Sequence, residues 1–333
     1  MDQFNVYKDM KARTNGEIYI GVVGPVRTGK STFIKRFMNL MVLPNIEDEN
    51  DRNRANDELP QSSSGKTIMT TEPKFVPNEA VSIKTEEGIE LNVRLIDCVG
   101  YMVEGATGHM EGEEERLVKT PWFDYEIPFT KAAAIGTKKV ITEHSTIGVV
   151  VTCDGSFGEI AAKQYEPAEE ETIKQLKALK KPFVVLLNTI HPYSESTKQL
   201  AAEKEEKYQT KVLPMNLEQM KKEDIYEIIK SVLMEFPISS IGFYVPRWTE
   251  MLKKDHPLKM ELLQMARDVI TEKTTMRDIY EEQEKEYEYI TGQKLESVAM
   301  DSGKVVITVK VGDVYYYEFL SETTGMEIRN EYE

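Results

Sequence analysis

A glycine-rich segment near the start of the chain constrains the fold more than any other feature. Residues 24–31 read Gly-Pro-Val-Arg-Thr-Gly-Lys-Ser and match the pattern G-x-x-x-x-G-K-[S/T] at every fixed position. A predicted strand, residues 19–23, precedes the segment, and a predicted helix, residues 32–41, follows it. In that setting the backbone N–H groups of the loop and the helix N-terminus bind phosphate. The segment therefore predicts an α/β domain that holds a nucleoside triphosphate, and the strand and helix argue against a chance glycine-rich turn.

Individual residues of this phosphate-binding loop have separate predicted roles. Gly24 and Gly29 allow the tight turn, Lys30 reaches the β- and γ-phosphates, and Ser31 places its hydroxyl on Mg²⁺. Arg27 points either at phosphate oxygens or at solvent. The predicted nucleotide-binding residues of this segment are Gly24, Pro25, Val26, Arg27, Thr28, Gly29, Lys30, Ser31 and Thr32.

A second short pattern follows a predicted strand at residues 93–96. This strand ends at Asp97, and Gly100 follows at the spacing D-x-x-G. A carboxylate beside the phosphate loop can hold Mg²⁺ through water, and Gly100 can turn its N–H toward the γ-phosphate. The pattern is weak alone, but its place downstream of a phosphate loop favours a functional interpretation.

A threonine pair lies between these two patterns. Switch GTPases carry a threonine in this interval that coordinates Mg²⁺ and senses the γ-phosphate. Thr70 and Thr71 occupy it, although an ordinary pair entering the predicted strand 74–76 is the alternative. The predicted catalytic residues are Lys30, Thr70, Thr71 and Asp97. The predicted metal site is Ser31, Thr70 and Asp97, and the sequence does not decide which threonine faces the metal.

The base-reading motif of guanine-nucleotide switches is broken in this chain. Those proteins end a strand in N-K-x-D, whose aspartate accepts hydrogen bonds from guanine. Here the predicted strand 183–187 ends in Asn188-Thr189-Ile190-His191. A neutral imidazole lacks the paired acceptor oxygens of a carboxylate, so the sequence favours ATP over GTP. Asn188 is predicted to contact the nucleotide; alternatively, Asn188 and His191 only close the strand end.

The order of predicted elements divides the chain in two. As far as residue 237, strands alternate with helices, including 147–151, 168–180, 211–213 and 220–235, which is typical of a mostly parallel sheet. Two long interruptions, 45–61 and 101–128, lack regular periodicity. Beyond them, helices at 246–265 and 276–289 precede strands at 304–310 and 314–320 joined by a hairpin. We therefore expect a nucleotide-binding domain over 1–237 and a small α+β domain over 238–333.

Composition excludes several classes of function. The 333 residues include 42 Lys and Arg against 57 Asp and Glu, a net charge of -15 that disfavours nucleic-acid binding. No apolar run approaches the ~20 residues of a membrane span, and the start does not resemble a signal peptide. Cys98 and Cys153 adjoin predicted strands, so we expect buried thiols in a cytoplasmic protein.

Several blocks of the sequence resemble the stage IV sporulation protein A family of spore-coat morphogenetic ATPases. The blocks that carry the resemblance are residues 20–35, 57–62, 65–77, 95–101, 143–150 and 244–248. The resemblance implies a translation-factor-type GTPase fold converted to ATP hydrolysis. It also implies that hydrolysis drives self-assembly into a static polymer on the forespore surface, within the mother-cell cytoplasm.

The resemblance extends to site residues and partners. It assigns the family's phosphate-loop lysine to Lys30, its sensor threonines to Thr70 and Thr71, and its Mg²⁺-site aspartate to Asp97. It implies anchoring by a small amphipathic membrane-bound protein and recruitment of coat proteins. It also predicts that a further C-terminal region of the family is absent from this chain. Two alternatives stay open: a conventional GTPase switch that does not polymerise, and a scaffold that binds nucleotide without hydrolysing it.

Overall fold

The structure, a computed structural model, describes residues 5–60, 72–85, 88–106, 109–111, 114–158, 160–280 and 285–333. The chain divides into two compact units, Met1–Glu235 and Phe236–Glu333. Among the described residues, no helix combines the length and the apolar character needed to cross a membrane.

A six-stranded sheet forms the centre of the first unit. Its strands are β1 Glu17–Val23, β2 Lys74–Lys84, β3 Glu90–Asp97, β8 Ile147–Cys153, β9 Phe183–Asn188 and β10 Val212–Met215. They lie in the order β10-β9-β8-β1-β3-β2, and all neighbours pair in parallel except β2, which runs antiparallel to β3. Every residue of β8 and β9 is buried, as expected for strands covered on both faces. The predicted α/β class and mostly parallel sheet are confirmed.

Helices flank this sheet. They are α1 Val6–Thr14, α2 Lys30–Phe37, α3 Glu49–Asp57, α4 Phe129–Lys139, α5 Ala162–Ala178, α6 Glu195–Tyr208 and α7 Lys222–Met234. A π-helical turn, Met38–Val42, continues α2, and a second, Val140–His144, continues α4. The predicted helix at 168–180 begins six residues earlier than expected, at Ala162. Helices α1, α4 and α6 were not predicted.

The two long interruptions contain regular structure that the sequence pattern did not reveal. The charged stretch 45–61 contains α3, because the Asp48 side chain caps the helix by accepting the Asp51 N–H. The stretch 101–128 contains the short pairs β4 Met110–Glu111 with β5 Glu114–Glu115 and β6 Leu117–Thr120 with β7 Phe123–Pro128. Strands β4, β5 and β6 carry too few residues to show an alternating pattern. Strand β7, in contrast, alternates apolar and polar residues in Phe-Asp-Tyr-Glu-Ile, a signal that could have predicted it.

The second unit is α+β, but the prediction for its last elements was wrong. Its sheet has the order β11-β13-β12, from β11 Ser240–Tyr244, β12 Ile290–Ala299 and β13 Lys304–Val311. Its helices are α8 Pro257–Glu272 and α9 Asp313–Thr324. The predicted strand 314–320 belongs to α9, so there is no hairpin at 311–313. Strand β13 pairs instead with β12, which is antiparallel to it, and with β11, which is parallel.

The predicted acidic helix at 276–289 is also wrong within the described residues. Only the short 3-10 turn Asp278–Tyr280 forms there, and residues 285–289 lead in an irregular path into β12. In this stretch the Tyr287 hydroxyl donates to Asp268 Oδ2 on α8 at 3.0 Å. Both cysteines are buried and free, as predicted.

Candidate active site

The phosphate-binding loop joins the carboxyl end of β1 to the start of α2. Two of its positions require glycine. Gly24 has a φ of 126°, and an added Cβ would clash with the Val151 carbonyl oxygen on β8. Gly29 has a φ of 101° and lies directly before the first residue of α2. The loop therefore has the conformation that its sequence pattern predicts.

Lys30 is buried and held by the loop itself. Its Nζ donates to the Pro25 carbonyl at 2.5 Å and to the Gly24 carbonyl at 3.4 Å. Burial lowers the pKa of Lys30, while the neighbouring Cys98 and Asp97 oppose that shift. An anionic ligand would favour the charged form of this amine, which suits a phosphate-binding lysine.

Strand pairing brings Asp97 to the phosphate-binding loop. Strand β3 runs parallel to β1, with Asp97 level with Val22, so both strands end at the same edge of the sheet. There the Ser31 hydroxyl donates to Asp97 Oδ2 at 2.8 Å. Two residues that lie 66 positions apart, and that were predicted separately, therefore meet in one site.

The oxygen atoms of this pair fit a magnesium ion. Asp97 Oδ1 is buried and has no hydrogen-bond partner, and burial raises the pKa of Asp97 despite the Ser31 bond and the charge of Lys30. A hard cation such as Mg²⁺ takes carboxylate and hydroxyl oxygens, and would satisfy this atom. The described residues contain no cluster of three or more His, Cys, Asp or Glu for a metal.

Gly100 packs against the phosphate-binding loop. Its φ is 92°, and an added Cβ would clash with the Gly24 carbonyl oxygen and lie 2.7 Å from Lys30 Nζ. The next residue continues the contact, because the Val26 N–H donates to the Tyr101 carbonyl at 3.0 Å. No sequence motif includes Tyr101, and only its position beside Gly100 could have indicated the contact.

Asn188 supports the loop from the end of β9. Its Nδ2 donates to the Thr28 carbonyl at 3.0 Å, and its Oδ1 accepts the Leu217 N–H at 3.3 Å. Both functional ends of the amide are therefore occupied by the protein. His191 is exposed, and its N–H donates to the hydroxyl of the buried Thr189 at 3.1 Å. These contacts agree with the alternative in which this segment closes the strand end.

The remaining predicted residues fall into two groups. Thr70 and Thr71 lie outside the described residues, so their prediction stays a prediction. In the loop, Arg27 is exposed at a φ of 62°, and the buried Thr28 hydroxyl donates to the Pro25 carbonyl at 3.1 Å. Thr32 lies half-buried in the first turn of α2.

Two family models and three relatives match the chain. The model of the stage IV sporulation protein A ATPase domain matches residues 1–237, and that of its middle domain matches 238–333. Stage IV sporulation protein A of Bacillus anthracis is 46% identical over 331 residues, that of Clostridioides difficile (strain 630) 48% and that of Bacillus subtilis (strain 168) 45%. Each alignment covers 99% of this chain and 67% of the relative. The chain therefore belongs to the stage IV sporulation protein A family, and residues 1–237 match the ATPase domain of that family.

Proposed function

We propose that this chain hydrolyses ATP with Mg²⁺ and that the accompanying conformational change promotes its self-assembly into the basement layer of the bacterial spore coat. The observation that carries the proposal is the contact of Ser31 with Asp97 beside the buried Lys30. The family match supports the sporulation context and the ATPase activity.

The residues of the site divide the work of phosphoryl transfer. The Lys30 ammonium exchanges its loop carbonyls for phosphate oxygens, and the loop N–H groups bind the same phosphates. Ser31 and Asp97 would hold Mg²⁺, which when bound neutralises charge on the β- and γ-phosphates. Thr70 or Thr71 would complete the metal site. The buried position of Lys30 strengthens its attraction to phosphate, because little water screens it.

The contact between Gly100, Tyr101 and the loop supports a link between nucleotide and conformation. Gly100 lies against Gly24 and Lys30. A triphosphate bound by Lys30 would therefore contact the segment that begins at Asp97 and could reorient it. Such reorientation is the general way in which nucleotide switches change their surfaces.

The cellular setting of the proposal follows from the family resemblance. We propose that the protein acts in the mother cell at the forespore surface. Its proposed partners are further copies of itself, a small amphipathic membrane-bound spore protein and spore coat proteins.

The substrate is tested by measuring phosphate release with ATP and GTP side by side. We expect preferred turnover of ATP, since the carboxylate that would read guanine is replaced by the exposed His191. Lys30→Ala should abolish turnover, whereas Lys198→Ala, which removes an exposed lysine on α6, should not. Preferred GTP turnover, or full activity of Lys30→Ala, would contradict the proposal.

Assembly is tested by light scattering and sedimentation after nucleotide addition. We expect large particles with ATP and none with a non-hydrolysable analogue or with Lys30→Ala. If particles stay small while nucleotide is hydrolysed, the alternative of a conventional switch is favoured. If bound ATP survives intact in a single-turnover experiment, the protein is a scaffold that binds nucleotide without using it.

A further inference from the structure

Arg27 is exposed, although it lies within the phosphate-binding loop. Val26 and Thr28, on either side of it, are both buried. The Val26 N–H donates to the Tyr101 carbonyl at 3.0 Å. The Thr28 carbonyl accepts the Asn188 side chain, also at 3.0 Å. The backbone is therefore fixed on both sides of Arg27, and its side chain lies at the surface of the loop.

The backbone of Arg27 has a conformation that glycine adopts more easily than arginine does. Its φ is 62°, in the left-handed region that side chains with a Cβ disfavour. Non-glycine residues in this region cluster at active sites, where the surrounding structure holds them. A glycine would relieve the strain at this position, so the arginine side chain calls for a functional explanation.

The side chain of Arg27 begins close enough to the phosphate site to reach it. The Pro25 carbonyl, which accepts Lys30 Nζ at 2.5 Å, lies two residues before Arg27, and two residues span at most about 7 Å. An arginine side chain covers a similar distance, so its guanidinium can meet the phosphates that Lys30 binds. Tyr165 on α5 packs in one cluster with Val26 beneath the loop. Burial raises the pKa of Tyr165 to about 12, and the charge of Arg27 opposes that rise, so the guanidinium is within electrostatic reach of this cluster.

We propose that Arg27 is a catalytic residue of ATP hydrolysis, whose guanidinium donates hydrogen bonds to the γ-phosphate in the transition state. This inference rests on the ATPase activity proposed above. In that reaction the oxygen of water bonds to the γ-phosphorus, and the bond from this phosphorus to the β–γ bridging oxygen breaks, with its electron pair leaving on ADP. One water proton stays on the released phosphate, and the other passes to solvent. Arginine keeps its charge and presents a planar fork of donors that fits phosphate oxygens, and it can act from within the same chain.

Phosphate release and nucleotide binding, measured on the whole chain, test this role separately. Arg27→Ala should lower kcat for ATP by about 100–1,000-fold, the loss expected when a donor to transition-state charge is removed. Its affinity for a non-hydrolysable ATP analogue should stay within about threefold of the unchanged chain. Its affinity for ADP with aluminium fluoride, which mimics the transferring phosphoryl group, should fall by about the same factor as kcat/KM. Arg27→Lys keeps the charge without the planar fork and should recover little of the lost turnover.

Two controls separate chemistry from folding. Arg27→Gly relieves the backbone strain and should unfold in urea no earlier than Arg27→Ala, yet its turnover should be as low. Arg52→Ala, at an exposed position on α3, should behave as the unchanged chain. Full turnover by Arg27→Ala, or an equal loss of affinity for the two nucleotide analogues, would overturn the inference and leave the proposed function intact. If the unchanged chain releases no phosphate from ATP, the proposed function fails and this inference fails with it.

Discussion

The fold buries two ionisable side chains of the site, Lys30 and Asp97, and burial disfavours the charged form of each. Burial lowers the pKa of Lys30 and raises that of Asp97, so each is pushed toward its neutral form. Each also opposes the shift of the other, which shows that they lie within electrostatic reach. A bound phosphate would stabilise the charged form of Lys30, and a bound cation would stabilise the charged form of Asp97.

The first prediction concerns the metal role of Asp97. Asp97→Asn keeps an oxygen for the Ser31 hydroxyl but removes the charge beside the buried Oδ1 atom. We expect turnover to fall by about 10–100-fold, as when a residue that orients a metal is lost, with a higher Mg²⁺ requirement. A Mg²⁺ titration of phosphate release measures both. Asp124→Asn, on the exposed side of the β6–β7 hairpin, is the control and should behave as the unchanged chain.

The second prediction concerns the cysteines beside the site. Burial raises the pKa of Cys98 to about 11 and also raises that of Cys153. Both thiols should resist alkylation at pH 8 in the folded protein and react once it is unfolded in urea, because the thiolate is the nucleophile. Rapid modification of either thiol in the folded protein would contradict the described burial.

The sign of the pH effect follows from the raised pKa of Cys98. The folded state keeps the Cys98 proton at pH values where the unfolded state has lost it. Stability that depends on this thiol is therefore full below its ordinary pKa of 9.0 and falls as the pH rises toward about 11. Urea midpoints measured across this range should fall less in Cys98→Ala than in the unchanged chain.

At the scale of secondary-structure elements, Asn188 at the end of β9 forms hydrogen bonds with the phosphate-binding loop and with Leu217. Asn188→Ala removes a donor to the Thr28 carbonyl and an acceptor for the Leu217 N–H. Each group left unsatisfied should destabilise the loop by about 1–3 kcal/mol. We expect KM to rise by the same factor for ATP and GTP, because Asn188 positions the loop. A changed ratio between the two nucleotides would instead assign Asn188 to base recognition.

Two helices and a strand are joined by a buried ion pair. Lys204 on α6 contacts Glu169 Oε1 on α5 at 2.7 Å, and the Thr152 hydroxyl on β8 donates to Glu169 Oε2 at 2.5 Å. The Glu169 side chain is fully buried. Lys204→Met leaves that carboxylate without its cation and should lower the free energy of unfolding by about 3–5 kcal/mol.

Two further variants test the interpretation of this pair. Adding Glu169→Gln to Lys204→Met should restore part of the lost stability, since a neutral amide needs no counter-charge. Lys207→Met breaks the neighbouring exposed pair with Glu170 and should cost less than about 1 kcal/mol. Urea unfolding measures all three. Equal effects of Lys204→Met and Lys207→Met would show that burial does not determine the outcome.

The sequence predicted secondary structure correctly where the residue pattern of the segment was unambiguous. It failed where contacts with distant residues determined the structure. Strands β8 and β9 are apolar throughout, so their position needed no other information. Helix α9 has a β-branched and aromatic start, which favours a strand. It is a helix because Tyr316 and Phe319, three residues apart, pack together on Trp248. That contact depends on a distant residue, which no local pattern reveals.

At the scale of the whole molecule, the sequence motifs predicted the residues that line the phosphate site better than the residues that hold the phosphate-binding loop in place. Gly24, Lys30, Ser31, Asp97 and Gly100 meet because two parallel strands end at one edge, a consequence of the fold class. The contacts made by Leu217 and Tyr101 use backbone atoms, which every residue has. Residue identity therefore could not indicate them.

The two tryptophans, Trp122 and Trp248, allow the units to be followed separately. Trp122 belongs to the first unit, and Trp248 packs on Phe319 in the second. Variants that retain one tryptophan, Trp248→Phe and Trp122→Phe, would each report the unfolding of one unit in urea. ATP with Mg²⁺ at about 100 times its Kd should stabilise the unit reported by Trp122 by about 2.7 kcal/mol.

This stabilisation depends on the site and distinguishes the candidate nucleotides. Lys30→Ala should remove it, since the amine that faces the phosphates is lost, while Lys198→Ala should preserve it. GTP at the same concentration should stabilise the first unit less than ATP. The reason is that His191 occupies the position at which a guanine-binding motif carries its aspartate. Equal stabilisation by the two nucleotides would contradict ATP preference without affecting the phosphate site. An unchanged Trp122 transition with either nucleotide would contradict the site itself.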